Sequence, residues 1–390
     1  MAKMLTVELT QQTPMIHFQY AEPGATIRGS ELKPKLDRFL IQILGDKIRI
    51  DHPQWFASQD QDSLAYKVRI RAQGKPTISA NINKSYFGNL GDSSDCQSVE
   101  YADYGVDVTF YSALDDLIVY IRRWIKPFFW LHNFGTRQSK GFGSFSVWAI
   151  DGERHPEGLP PDPDSFLRMY YKSKMHMPAF EIVCANETPK WMADDVLEQI
   201  RVTYGFMKSG FNFPNGDYYK GFALQYLTPT FANDKAFVKS AVLGRGPLGK
   251  PSRFIRAMLG VSDQASWYSD RETIHYAHAP RAGEHEIKRV PSPILFSVTE
   301  NGRIFVLPHP IPNPLRSTDF SIWKDRGQPH SIKTPSREEF DFSKFLTDFA
   351  TKFNDKNGPW CQKRGGGSSL MTNAQDKSLQ IAQYLTMRAL

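Results

Sequence analysis

Cysteine is scarce in this 390-residue chain: Cys96, Cys184 and Cys361 stand far apart, and no C-x-x-C occurs. That spacing excludes a cysteine-rich zinc site or a disulfide framework and fits a reducing compartment. Long apolar runs are lacking as well. The strongest, Leu114 to Leu131, is broken by Arg122, Arg123 and Lys126, so no window reaches the roughly 20 apolar residues needed to span a bilayer. The N-terminus, MAKMLTVELTQQ, has no apolar core of the signal-peptide kind. A soluble cytoplasmic protein without membrane contact is expected. Nor is there a large charge of one sign. Lys and Arg number 48 against 41 Asp and Glu, a net +7 with a pI near 9.1. This permits a polyanionic partner without demanding one. Hydrophobic residues, at 41%, suffice for real cores, and the 13% of aromatics serve cores and base-stacking platforms alike.

Periodicity organises the first 150 residues. Met4 to Thr10 alternates as a strand. Ile27 to Leu44 places Leu32, Leu36, Phe39, Leu40 and Ile43 at helical spacing, with Ser30 as cap, Pro34 in the first turn and Gly45 as the stop. Ala65 to Ala72 and Tyr104 to Tyr111 read as strands. Ser112 to Lys126 reads as a helix ended by Pro127, and Phe142 to Ile150 as a strand. The order strand, helix, strand, strand, helix, strand is the split βαβ, ferredoxin-like arrangement shared with the RNA recognition motif. Residues between Gly74 and Asp103, including Tyr86 to Asn89, form an insertion.

The expected fold class is α+β: tandem ferredoxin-like (RRM-like, βαββαβ) domains, the second more divergent. Residues 1–150 make the first domain with a glycine-rich loop. Residues 151–179 make a linker, opened by the Pro-, Gly- and acid-rich stretch 151–164. Residues 180–364 make the second domain, and 365–390 a flexible or helical tail after the GGGSS break. In the second domain Phe180 to Ala185 and Gly221 to Leu227 read as strands, and Trp191 to Tyr204, Lys235 to Leu243 and Phe340 to Phe353 as helices. Asn301-Gly302 marks a hairpin between Ile294 to Thr299 and Arg303 to Leu307.

Two stretches carry chemistry. GTRQSKGFG, from Gly135 to Gly143, sets Gly135, Gly141 and Gly143 around Arg137 and Lys140. It reads either as a phosphate cradle of exposed N–H groups and cations or as a loop whose glycines only turn the chain. IRGSELKPKLDR clusters Arg28, Lys33, Lys35 and Arg38 at a helix start, which favours anions; a solvated basic face is the alternative.

Together these phrases resemble the motifs of the RAMP superfamily, and in particular the first RAMP subunit of type III-B (Cmr) CRISPR effectors. IRGSELKPKLDRF, following a segment with Thr13-Pro14, resembles that superfamily's basic first helix. GTRQSKGFGSF, with His132 just upstream, resembles its glycine-rich loop. RVPSPILF, from Arg289, resembles the second half of the Cmr subunit. Pro34 and Asp37 depart from the pattern, and the second domain has no glycine-rich loop of the same form. The resemblance implies a non-catalytic, cofactor-free RNA-binding subunit of a multisubunit antiviral ribonucleoprotein. Its partners would be crRNA, target RNA and neighbouring subunits, with Arg28, Lys33, Arg137 and Lys140 on phosphates.

Other readings are weaker. A RAMP endoribonuclease would need a general base such as His17, His52 or His132, or a loop aspartate such as Asp92, Asp95 or Asp103, and no flanking motif singles one out. Gly244 to Lys250 nearly fits a P-loop, but Pro251 stands where the Mg²⁺-binding hydroxyl belongs. The same stretch, with Arg245, Lys250, Arg253 and Arg256, reads as a second basic loop, either RNA-contacting or merely solvated. His275, His278 and His285, near Glu284 and Glu286, lack H-E-x-x-H spacing, so no metal site is expected.

Overall fold

Alternation in the first strand sets the first core. β1 (Lys3–Gln11) turns Leu5, Val7 and Leu9 to one face, and α1 (Gly29–Leu44) lays Leu32, Leu36, Phe39 and Leu40 onto it. β2 (Lys67–Ala72), β3 (Gly105–Ser112), α2 (Asp115–Leu131) and β4 (Phe145–Ile150) complete the unit. The sheet runs β2-β3-β1-β4, antiparallel at every step. The computed structural model describes residues 3–16, 26–45, 47–58, 61–74, 77–79, 98–100, 105–160, 162–185, 195–212, 218–227, 229–267, 272–279, 290–355 and 377–390. His17, Tyr86 to Asn89, Asp92, Asp95, Asp103, Trp191, Glu284, His285, Glu286 and the GGGSS stretch lie outside the described residues.

Three local expectations change. α2 does not stop at Pro127 but runs on to Leu131. The proline forfeits a helix hydrogen bond at about 3 kcal/mol, yet continuing the helix buries Phe128, Phe129, Trp130 and Leu131, each worth about 1.5–3 kcal/mol. α1 starts before Ser30, with Arg28 at the cap position, and Pro34 lies exposed beyond the first turn. The stretch expected as a linker is ordered. α3 (Pro163–Tyr170) is capped by Asp162, whose carboxylate accepts from Ser165 N at 2.9 Å, and Phe166, Leu167, Tyr170 and Tyr171 join the first core.

The second half repeats the first sheet's order. In chain order it comprises β5 (Phe180–Cys184), α4 (Val196–Met207), α5 (Phe222–Tyr226), α6 (Asp234–Phe237, continued by a π-helical turn Val238–Val242), β6 (Gln264–Trp267), β7 (Glu272–His278), β8 (Ile294–Val298), β9 (Ile304–Pro308), β10 (Asp319–Lys324), β11 (His330–Lys333), α7 (Phe342–Asn354), α8 (Lys377–Tyr384) and β12 (Leu385–Ala389). One sheet runs β8-β9-β5-β12, again antiparallel throughout. A separate antiparallel four-stranded sheet runs β6-β7-β10-β11, with β8 and β9 intervening in the chain between its two hairpins. Asn301 and Gly302 both take left-handed φ, +64° and +70°, and close the β8–β9 hairpin as expected.

Two expectations fail here. Gly221 to Leu227 holds the short helix α5 rather than a strand: Phe222, Ala223 and Leu224 are all buried, and an unbroken apolar run carries no distinguishing period. The last residues are not simply a tail, since β12 pairs with β5 from Leu385↔Cys184 to Ala389↔Phe180. The two halves interlock through β8 and β9, buried on both faces. Leu295, Phe305 and Leu307 enter the first core, while Phe296, Val298 and Val306 enter the second.

Candidate nucleic-acid interface

The two basic motifs meet in space. Glu31 on α1 accepts hydrogen bonds from Gly135 N (3.1 Å) and Gln138 Nε2 (2.8 Å), and Lys35 Nζ donates to Glu31 (2.8 Å), Asn133 O (2.7 Å) and Gln138 Oε1 (2.8 Å). Burial lowers the Lys35 pKa, against the pull of Glu31. Lys33 is equally engaged, donating to Asp37, Ser63 and the Leu64 carbonyl and lying 4.3 Å above the Tyr66 ring. Arg28 is half-buried; Arg38 is exposed, with Nε on the Pro34 carbonyl.

The glycine-rich loop packs inward rather than opening as a cradle. Gly135 N is taken by Glu31, Gly141 N by the Gln138 carbonyl and Gly143 N by the Pro14 carbonyl. A Cβ at Gly143 would stand 2.0 Å from Phe134 O, and one at Gly141 would stand 2.4 Å from Ile200 Cδ1 on α4. The loop is thus a joint to the second half, reinforced by Asn133 Nδ2 donating to Phe296 O at 2.8 Å and Val298 N donating to Ser144 Oγ at 3.2 Å. Arg137, at φ +55°, is half-buried. Lys140 departs from its expected role: its Nζ is enclosed 2.8 Å from the Tyr204 ring centroid, with no hydrogen-bond acceptor, and burial drives its pKa well down. In this position it reaches no phosphate.

His132 is held likewise. Its Nδ1 bonds to the Phe128 carbonyl at 2.9 Å, the ring packs against Phe39 and Phe128, and burial pushes its pKa down to about 3. Such an imidazole is a weak base, far from the pKa near neutrality that suits a general base, and these contacts fix its ring. His52 stacks on Trp55, with ring centroids 3.9 Å apart.

In the second basic loop, Arg253 forms a bidentate pair with Glu339 (2.8 and 2.7 Å), and Arg256 pairs with the buried Asp234. Arg245 and Lys250 stay exposed. The near-P-loop leads into a short strand, Ser252–Arg253, and not into a helix. It therefore lacks the helix N-terminus on which a P-loop seats phosphate. His275 stacks on Trp323 and bonds Asp325, and His278 is buried. Among the described residues no cluster of His, Cys, Asp or Glu is placed to hold a metal ion, and no helix is long and apolar enough to cross a membrane.

The surface that sequence inspection missed is the open face of the first sheet. β2 turns Val68 and Ile70 inward and Lys67, Arg69 and Arg71 outward, all three exposed. Cross-strand pairing aligns Lys67 with Tyr111 and Met4, and Arg69 with Thr109 and Thr6. Met4 is 60% exposed, and Trp148 on the opposite edge strand is 47% exposed under the Arg154 guanidinium. Arg71 faces Asp107, so the excess positive charge gathers at the Lys67–Arg69 end. The signal was the K-x-R-x-R alternation, whose polar positions are all cationic.

A family model described as the Cmr1 N-terminal domain matches residues 2–211, and one described as the Cmr1 C-terminal domain matches residues 218–363. The chain belongs to the Cmr1 family. Among solved structures this Cmr1-family chain is similar to Cmr1 from Pyrococcus furiosus in its apo form, at 14% identity over 81% of this chain and 91% of that one, with a TM-score of 0.44. It is also similar to a chain of the type III-B Cmr-beta complex bound to cognate target RNA, at 14% identity over 38% and 60% of the respective chains, with a TM-score of 0.26. No curated protein matches it. The two Cmr1 family models meet between residues 211 and 218, beyond α4. The N-terminal one therefore takes in the first strand and helix of the second repeat, as the interlocked cores require.

Proposed function

We propose that this Cmr1-family chain is an RNA-binding, architectural subunit of a type III-B CRISPR effector ribonucleoprotein, contacting crRNA or target RNA beside other subunits in antiviral defence in the cytoplasm. Its two βαββαβ units are tandem ferredoxin-like domains, the second expanded by the β6-β7-β10-β11 sheet. The observation that carries RNA binding is the open face of the first sheet, where exposed Lys67 and Arg69 flank Tyr111 on neighbouring strands. Cations there neutralise phosphates, and the ring offers a base-stacking platform, the division of labour used by RRM sheets. Arg38, Arg137, Arg245 and Lys250 are further phosphate contacts in this reading. The fixed ring and weak basicity of His132 favour a binding over a cleaving role.

Fluorescence anisotropy on single-stranded RNA tests this. The double substitution Lys67→Ala/Arg69→Ala is expected to weaken binding about tenfold near physiological salt. It should flatten the log–log salt slope by about 1.4, or roughly 0.7 per phosphate contact. Tyr111→Ala is expected to weaken binding about tenfold with the salt slope unchanged, because stacking is worth about 1–3 kcal/mol per base and releases no counterion. If both variants fold and bind as the parent does, the sheet face is not the RNA surface.

A further inference from the structure

A break in strand pairing puts Trp148 on the open face of the first sheet. Against β1 the register of β4 runs Val7↔Ile150, Glu8↔Ala149 and then Leu9↔Val147, so Trp148 is the extra residue of a β-bulge. Phe145, Val147 and Ile150 all face the first core. Strict alternation would turn either Val147 or Ile150 outward. The bulge keeps both inward and throws the indole onto the opposite face, where it is 47% exposed. Bulges at sheet edges re-aim side chains in this way.

A locked turn then sets a cation over the indole. Asp151 and Gly152 take left-handed φ, +51° and +82°, and close a two-residue hairpin turn. Ile150 and Glu153 exchange main-chain hydrogen bonds across it, both 2.9 Å. The Asp151 carboxylate anchors the turn, accepting from Thr6 N at 2.8 Å and from Arg122 at 2.9 Å. The returning chain carries the exposed Arg154 guanidinium to 3.9 Å above the Trp148 ring. A guanidinium and a nucleobase are both flat, and either stacks on an indole.

Beside the indole lies a carboxylate. β1 turns Leu5, Val7 and Leu9 to the core and Glu8 to the open face, between Ala149 on β4 and Asp107 on β3. Asp107 is held by Gln73 Nε2 and stands across from Arg71. Glu8 is therefore the acid on the Trp148 side. A carboxylate only accepts hydrogen bonds, and it has two oxygens to do so. Among the four bases of RNA, guanine alone sets two adjacent N–H donors, N1 and the N2 amine, along its Watson–Crick edge. Adenine, cytosine and uracil each place an acceptor next to the donor.

We propose that Trp148, Arg154 and Glu8 form a guanine-selective seat for one base of a single-stranded RNA; the proposal rests on the RNA-binding reading above. The base takes the indole face that the guanidinium now covers, Arg154 closes over its outer side, and Glu8 accepts from N1–H and the N2 amine. The seat lies within reach of Tyr111. Tyr111 pairs with Met4, four residues before Glu8, and β3 and β4 flank β1. That is about 13 Å along the strands and about 10 Å across them, or about 16 Å in all, a span suited to a sheet that stacks two or three bases.

The test is fluorescence anisotropy with the full chain and a short oligouridine carrying one central guanosine, or adenosine or inosine in its place. Inosine keeps N1–H and lacks the N2 amine. The parent is expected to prefer guanosine over adenosine about tenfold, with inosine between them. Glu8→Gln should abolish that preference without weakening binding of the all-uridine oligomer. Trp148→Ala should weaken binding of the guanosine oligomer about tenfold with the salt slope unchanged, and Trp148→Phe should retain most of the affinity. Equal parental affinities for the three oligomers, or a guanosine preference that survives Glu8→Gln, overturn the proposal. In that case the sheet-face reading still stands if Lys67→Ala/Arg69→Ala weakens binding of every oligomer. If the parent binds none of them, the proposed function fails as well.

Discussion

Gly143→Ala is expected to destabilise the protein by about 3–5 kcal/mol, combining overpacking against fixed atoms with a left-handed backbone. The new Cβ would stand 2.0 Å from Phe134 O and 2.9 Å from Phe134 C, both main-chain atoms, at φ +69°. Neither side can yield cheaply, because Phe134 N donates to Gly143 O and Gly143 N donates to Pro14 O, both at 2.9 Å. Gly141→Ala makes the contrast. Its Cβ clashes with Ile200 Cδ1, at 2.4 Å, the tip of a side chain that can rotate, and meets Leu197 Cδ2 at an ordinary 3.6 Å, so its loss should be about 1–2 kcal/mol, mostly from the positive φ. Adding Ile200→Val removes that methyl and should recover part of the loss. Thermal unfolding of the four proteins decides the matter. If both glycine variants unfold with the parent and only RNA binding falls, the loop is a phosphate cradle and not a joint between the halves.

That ranking shows where sequence reading reached and where it stopped. The loop's position and glycine spacing were legible, as were its basic partner helix and the strand–helix order around them, because each depends on residues close in the chain. What the loop touches was not. Ile200, Phe296 and Val298 arrive from the second repeat, and nothing near Gly141 or Asn133 announces them. Seen locally, Lys35 and Lys140 are cations beside glycines; only the folded neighbourhood turns one into a Glu31 partner and the other into a cap on Tyr204.

The second repeat was faint for a related reason. Its first helix ends at Met207 and its hairpin begins at Ile294, and the intervening residues carry α5, α6, β6 and β7. Its last strand, LTMRA, is too short for alternation to speak and becomes recognisable only by pairing with β5. Both hairpin strands read as continuous apolar runs, because each serves a core on either face. By contrast, the outward Lys67-x-Arg69-x-Arg71 set carries its signal in the strand's own alternation, although inspection of the sequence passed it over.

Lys140→Met should raise stability at neutral pH while leaving RNA binding intact. The Lys140 ammonium is enclosed without an acceptor, over a Tyr204 ring whose hydroxyl is committed to Leu259 O at 2.7 Å. Replacing an unpaired buried polar group by an apolar one of similar length recovers on the order of 1–3 kcal/mol. The same site predicts a pH dependence. Lys140 is lowered by burial, then by Lys208 and Arg137. Lys208, whose Nζ lies 5.6 Å from the Tyr204 ring centroid, is lowered from 10.5 to about 7 by burial and by Arg256, with Asp234 opposing. A lysine whose folded pKa is depressed holds fewer protons folded than unfolded between those two values, so stability rises with pH from about 7 towards 10.5 and is lowest below 7. Denaturant melts across that window should show the rise in the parent and a shallower one in Lys140→Met. A variant that melts like the parent but binds RNA weakly would mean that the ammonium swings out to meet phosphate after all.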